Sequence, residues 1–381
     1  MKKIIYCLIL FFVGISVSFA EILNSPTWGY SVDLPEEFVL VDKNGADSYM
    51  FENAFVSSTV ILKAYKKEKF SSSLEAMETV MKQLRAEFEC AEIDWRNTDC
   101  IISQFAFNLG GASNTGWAVS SLLQDSKGYV VMLCYTPTDV FYDLEQFVIS
   151  CVDSLCIDYG SYYSPGPLTS FAFPKGEVQN HTVEIAGEKI DFPLNSNDIE
   201  ADRFVVEREY SVLSLYQDSE MWVEAWQRYY RQVYKNAYSR LKIAAFNIYN
   251  RLIKTCESEN PEIELAQKLL SWTQGFDYVR DFTSTDFTPI TASITGTGSD
   301  CDSRAMLLAC LLHHMNYDTC LFVSAEFSHS LFGIVLDKAG AKINIDGRQF
   351  LLGETTAQVD IGLVPANMNQ TDKWIFVELN N

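Results

Sequence analysis

Histidine is scarce in this 381-residue chain, with four in all, and two familiar catalytic signatures are missing altogether. There is no HExxH pair to hold a zinc ion and no CxxC pair for dithiol redox work. No glycine-rich phosphate-cradling loop appears, so nucleotide-dependent chemistry has no anchor. Positive charge is short: 29 basic residues stand against 50 acidic ones, a formal net charge of −21. Such a surface repels phosphate backbones and anionic lipid, which argues against nucleic acid as a partner. Long apolar runs are confined to the N-terminus, and there is no internal repeat and no low-complexity tract. Hydrophobic residues nevertheless make up 48% of the chain, enough for real cores, and its length favours two or three units over one.

The apolar run at Met1–Ala20 follows two lysines and ends Ser18-Phe19-Ala20, with small residues at −3 and −1. It reads as a secretory signal peptide cut after Ala20, too short for a membrane span and with Cys7 inside it instead of at its end. The expectation is a secreted or periplasmic protein with no integral membrane span after signal removal. Export permits disulfides, and nine cysteines are left once Cys7 is gone. Cys90 with Cys100, or Cys151 with Cys156, are pairs the spacing allows. An odd count leaves at least one thiol unpaired in a monomer, and Cys301 is the natural candidate.

Residues 21–158 read as one α+β unit. β-rich segments (TWGYSVDLP, STVILKAY, DCIISQFAFNL, GWAVSSLLQD, GYVVMLCY) alternate with turn signals, and two helical runs, Ser72–Glu89 and about Thr138–Leu155, interrupt them. No histidine and no catalytic constellation lies here, so the expected role is binding or positioning. The opening Tyr30–Phe38, aromatic-x-hydrophobic-x-Leu-Pro-Glu-x-Phe, resembles the start of PsbP-like α/β sandwich domains. Residues 159–175 carry three prolines and two glycines and read as a linker whose aromatics dock it on a surface. Residues 176–258 read as a β segment (Thr182–Ile185, Lys189–Phe192) and a long helical connector over about Asp218–Cys256. Trp222, Trp226, Tyr230, Tyr234 and Tyr238 recur every four residues along it. That stripe is either a platform for sugar rings or a peptide, or an ordinary buried helix face, and the second reading is preferred. Arg228, Arg231, Lys235, Arg240 and Lys242 are expected on a solvated face or against acidic neighbouring surfaces.

The last unit, 259–381, holds the one plausible nucleophile. Cys301 follows a Gly/Ser/Thr-rich loop and opens a helix whose apolar face is Ala305, Leu308, Ala309 and Leu312. Ser299 or Asp300 serves as N-cap, and the positive helix end favours a thiolate at Cys301. His329 begins an apolar strand, and acidic residues follow: Asp346 at an Asp-Gly hairpin signal and Glu354 after the returning strand. Thiol, imidazole and carboxylate together make an activated nucleophile. His313 and His314 lie about three turns, some ~18 Å, along the Cys301 helix and are too far to act as base. Of the two acids, Glu354 is favoured, because a carboxylate at the hairpin tip would lie far from the imidazole.

Ser299-Asp300-Cys301-Asp302, His329-Ser330-Leu331 and Glu354-Thr355-Thr356, with Leu270–Gln274 and Tyr278 upstream, resemble the motifs of the transglutaminase-like superfamily of papain-type cysteine enzymes. Ser299 stands where that family usually has Gly. The resemblance covers about a third of the chain and implies a papain-like C-terminal domain, so the whole is expected to be α+β. That is an N-terminal antiparallel-sheet sandwich with helices, a long helical connector and the transglutaminase-like unit. It further implies Cys301 as nucleophile, His329 as base, Glu354 (alternatively Asp346) as the orienting acid, and Gln274 as an oxyanion donor beside the Cys301 N–H. The expected activity is attack on an amide bond of a protein or peptide substrate through a thioester, with hydrolysis or amine transfer as its outcome. The competing reading is a non-enzymatic binding module retaining the fold. No cofactor is expected; Asp300 and Asp302 invite calcium, but two carboxylates do not make its six- to eight-oxygen shell.

Overall fold

A computed structural model describes residues 22–280, 285–296, 298–368 and 370–379, so the leader expected at Met1–Ala20 lies outside the described residues. The chain is mixed helix and sheet, 36% helical and 32% strand, an α+β architecture.

A two-stranded ribbon, β1 (Leu23–Asn24) and β2 (Ser31–Val32), precedes the first sheet. That sheet is built from β3 (Phe38–Asn44), β4 (Ser48–Asn53), β5 (Ser58–Lys66), β6 (Glu87–Trp95), β7 (Thr98–Leu109), β8 (Ala112–Leu122) and β9 (Gly128–Pro137). All its pairings are antiparallel, in the order β3-β4-β5-β9-β8-β7-β6. Helices α1 (Ser73–Leu84) and α2 (Phe141–Asp153) cover its two faces. Central β9 is buried on both: Val130, Met132 and Cys134 face α2, while Val131, Leu133 and Tyr135 face α1. Two covered faces are why GYVVMLCY reads as an unbroken apolar run.

Three local readings need correction here. The first helix stops at Leu84, because Arg85 takes a left-handed φ of 55° and closes the turn; the residues from Glu87 onward form β6 instead. The β3–β4 hairpin was not anticipated. All nine described cysteines are free thiols, so neither Cys90–Cys100 nor Cys151–Cys156 is bridged. Cys90 faces Ser103 across the β6–β7 ladder while Cys100 faces Ile93, three rungs away.

Residues 159–175 contain a short helix, α3 (Pro167–Ala172), whose Leu168 and Thr169 N–H groups donate to the buried Asp153 carboxylate. Hairpin β10 (Val178–Ile185) and β11 (Glu188–Asn195) leads into α4 (Asp198–Ser214), α5 (Trp222–Tyr238) and α6 (Lys242–Leu252). The single connector helix is therefore two, parted by a 3₁₀ turn at Ser239–Leu241, with the unanticipated α4 before them. The reason α4 escapes its pattern is chemical: its inward face carries Asp202, Arg208 and Glu209. Arg208 pairs with Asp153 (2.6 Å) and Glu209 (2.8 Å), and Glu209 with Arg228 of α5 (2.9 Å). Arg231 meets Asp33 at 3.0 Å, and burial of Asp33, which would raise its pKa, is overcome by Arg231 and Arg228, leaving it at about 2. Arg228 and Arg231 of α5 are thus spent on the buried acids Glu209 and Asp33.

The third part comprises α7 (Pro261–Gln274), α8 (Ile290–Ser293), α9 (Cys301–His314) and a second sheet. Its strands are β12 (Thr319–Ser324), β13 (His329–Val335), β14 (Lys342–Ile345), β15 (Arg348–Gly353) and β16 (Ile375–Glu378), in the antiparallel order β14-β15-β13-β12-β16. Helix α9 is buried almost all round, because the sheet takes one side and α5 to α8 the other. A single apolar core runs from the β10–β11 hairpin through α5, α6, α7 and α9 into that sheet.

Candidate active site

Cys301 is the first residue of α9, and Asp300 caps the helix, its Oδ1 accepting from Ser303 N–H at 2.7 Å. The side chain is 5% exposed at the floor of a cleft of about 340 Å3. Its sulfur donates toward Asp302 Oδ1 at 3.3 Å. Burial, then the Asp302 and Asp300 charges, push the thiol well above its ordinary range. The sequence expectation of a depressed thiol pKa is corrected here. A helix start offers about 0.3–1 kcal/mol, and desolvation with two adjacent carboxylates outweighs it.

His329 opens β13, one residue before Ser330, and both line the same cleft as Cys301. Its Nε2 lies 2.8 Å from Glu354 Oε2. Antiparallel pairing of Gly353 with Phe332 delivers Glu354 beside the start of β13. The other carboxylate oxygen accepts from Thr356 N–H (2.7 Å) and Thr356 hydroxyl (2.6 Å). Burial tends to raise the Glu354 pKa, but His329 and Thr356 together hold it below the usual range. Asp346 sits at the β14–β15 turn with φ 49°, beside Gly347 at φ 84°, at the opposite end of β15 from Glu354.

Gln274 does not serve as the oxyanion donor expected of it. Its Nε2 donates to two carbonyls, Glu354 O and Val359 O, both at 2.8 Å, so its N–H groups brace the loop that carries the acid. Arg304, one turn after Cys301 and 1% exposed, acts alongside it. It donates to Ser299 Oγ, Phe276 O and Thr355 O at 3.1, 2.7 and 3.3 Å, and its guanidinium lies over the Tyr278 ring. Sequence reasoning passed over Arg304; a lone arginine at an otherwise apolar helix position was the available signal.

Asp302 also accepts from the Tyr230 hydroxyl of α5 at 2.5 Å and from Ser330 Oγ. The aromatic stripe therefore divides. Tyr230 and Tyr234 are buried, and Tyr234 bonds His313 Nδ1 at 2.5 Å, while Trp222 and Trp226 are half-buried and line the cleft. His313 and His314 pack on Tyr234 and Tyr238, and burial, then His314, lowers His313 to about 4. Among the described residues no group of three His, Cys, Asp or Glu side chains is arranged to hold a metal. No helix among them is long and apolar enough to cross a membrane. Among the described residues, a larger cleft of about 980 Å3 between β10 and α7 is lined by no cysteine and no histidine.

No protein-family model and no curated protein matches the chain. Among solved structures, the cyanobacterial PsbP of Synechocystis is similar over 38% of this chain and 95% of its own, at 13% identity and TM-score 0.30. The Saccharomyces cerevisiae Ran-binding protein Mog1p is similar over 38% and 98%, at 10% identity and TM-score 0.29. These likenesses fall on the N-terminal region. A Bacteroides thetaiotaomicron protein is similar over 90% of this chain and 88% of its own, at 13% identity and TM-score 0.24. No transglutaminase-like protein was found, and similarity at this level carries no functional argument.

Proposed function

We propose that the chain is an exported cysteine hydrolase or acyl transferase of transglutaminase-like type, acting on amide bonds of a protein or peptide. The observation that carries this reading is the His329–Glu354 contact at 2.8 Å, with His329 lining the same cleft as Cys301 at the head of α9. Glu354 fixes the ring by binding Nε2, which leaves Nδ1 for proton transfer. Because the resting thiol is held neutral, His329 acts as general base during attack instead of sharing a preformed ion pair. The sulfur adds to the carbonyl carbon as its proton passes to His329. The adduct collapses to a thioester, and His329 returns that proton to the leaving amine. Water or a second amine then attacks the thioester and regenerates the thiol. The Cys301 N–H, a first-turn donor without an intrahelical partner, is the donor available to the oxyanion.

Brief iodoacetamide treatment with peptide mapping tests the nucleophile. Cys301 is expected to be alkylated before the fully buried Cys310 and Cys320, and its rate to fall in a His329→Ala variant. Labelling of Cys310 or Cys320 ahead of a silent Cys301 would sink the reading. The second reading, a binding module that keeps the fold, is favoured by one observation, the burial that raises the Cys301 thiol. A His329→Ala variant with an unaltered alkylation rate would support it.

A further inference from the structure

The wall of the Cys301 cleft contributed by α4 and α5 differs in kind from its floor. Tyr210 and Leu213 of α4 and Trp222 and Trp226 of α5 form that wall. Trp222 and Trp226 stack with centroids 4.8 Å apart and planes 26° from parallel, and Tyr210 is 44% exposed. Asp300, Asp302, Ser328 and His329 line the same cleft, as do Arg280 and Asp286, paired at 2.5 Å. We propose that this wall is the specificity shelf for the substrate, receiving one aromatic or branched apolar side chain next to the attacked carbonyl. The inference rests on the reading of Cys301 as nucleophile.

Three observations support it. The rings are held in place from below, since Trp226 packs on Tyr230, whose hydroxyl is fixed on Asp302. Half-exposed indoles fixed this way lose little freedom when a ligand covers them. The cleft, at about 340 Å3, takes a single large side chain together with the carbonyl it flanks. Asp302 lines the same cleft, so an acidic side chain there meets like charge, and among the described lining residues Arg280 is already paired with Asp286.

The test uses the full chain and peptidyl chloromethyl ketones, Ac-X-Ala and Ac-Ala-X, with X as Phe, Leu, Ser or Glu. In labelling, the Cys301 sulfur forms a bond to the methylene carbon, chloride leaves, and the thiol proton passes to His329. Each rate is divided by the iodoacetamide rate on the same protein, which reads the thiol without the shelf. In one of the two series Phe and Leu are expected to exceed Ser and Glu by about tenfold or more. Trp226→Ala is expected to erase that ratio and Trp226→Phe to restore most of it. Equal normalised rates for all four side chains in both series would overturn the shelf while leaving the nucleophile standing. If iodoacetamide itself fails to label Cys301, the proposed function falls and the shelf with it. Preference for Glu, or discrimination unaltered in Trp226→Ala, would also refute the assignment.

Discussion

Replacing Asp302 by Asn is expected to make Cys301 more reactive, although Asp302 touches the site on three sides. The carboxylate Oδ1 lies 3.3 Å from the sulfur. With the charge spread over both oxygens, the separation from a thiolate is roughly 4 Å, which gives about 1 kcal/mol of repulsion in water and about 4 kcal/mol at an effective dielectric of ~20. That is about 0.7 to 3 pKa units, against the ~0.3–1 kcal/mol by which a helix start favours the anion. Asparagine keeps an oxygen for Tyr230 or Ser330 and removes the charge. The thiolate fraction at neutral pH should then rise by at least about fivefold. The assay is the iodoacetamide rate constant of Cys301 between pH 6 and 10, compared in both proteins, with peptide mapping to confirm the site. A midpoint displaced downward and a faster rate at pH 7 are expected. An unmoved profile, or one displaced upward, would refute the claim that electrostatic repulsion by Asp302 keeps the thiol neutral.

Glu354→Gln is expected to slow Cys301 alkylation by at least about tenfold by releasing the imidazole, while Asp346→Asn at the hairpin tip leaves that rate as it was; the reverse order would reassign the acid. Glu354 also predicts acid sensitivity. Its folded pKa is depressed, so its stabilising contribution is present above about 4.5 and is lost as pH falls through the lowered value, a loss that melting curves from pH 6 to 3 should show reduced in Glu354→Gln. Glu36 predicts the opposite slope. Burial, then the Asp33 charge, raise it to about 7 against Arg228 and Arg231, and its Oε2 has no partner. Stability from this group is full below about 4.5 and declines as pH rises to about 7, by at most about 3 kcal/mol. Glu36→Gln should raise Tm at pH 8 more than at pH 5, and equal effects at both would count against it.

Legibility in the sequence followed how local the cause was. Strands β12 to β15 and the head of α9 announce themselves by short apolar runs, an Asp-Gly turn and an acidic cap, all within a few residues. The preference for Glu354 over Asp346 rests on the Asp-Gly hairpin signal, strand length and the Glu-Thr-Thr resemblance, and the structure brings Glu354 and not Asp346 to His329. What stayed hidden depended on distant partners. Helix α4 looks non-amphipathic because Asp202, Arg208 and Glu209 point inward to meet Thr291, Asp153 and Arg228. The raised Cys301 thiol comes first from burial under elements far away in the chain, which no helix-start argument can supply, and then from its sequence neighbours Asp302 and Asp300, whose charges were legible. Gln274 has the right place in the motif, yet its amide is taken by two carbonyls of the Glu354 loop.

The same dependence on distant partners bears on where the catalytic unit begins. Residues 259–381 look self-sufficient by motif, with α7, α9 and the second sheet all included. Their core is nevertheless shared with Ile185, Ile190, Phe192 and Leu194 of the β10–β11 hairpin and with Tyr230, Val233, Tyr234, Ile248 and Leu252 of α5 and α6, all buried. Losing the partner surface for about nine large side chains, at about 1.5–3 kcal/mol each, forfeits on the order of 15–25 kcal/mol. That exceeds the 5–15 kcal/mol by which whole domains are usually stable. Tyr230 is also the partner of Asp302, so the site would lose a fixed contact as well. Residues 259–381 produced alone are therefore expected to be aggregated or to melt without cooperativity, whereas 176–379 retains the entire core. Calorimetry and size-exclusion chromatography of both segments decide the matter. A monomeric 259–381 with a sharp melt would mean that α5 and α6 contribute far less to this core than their burial implies.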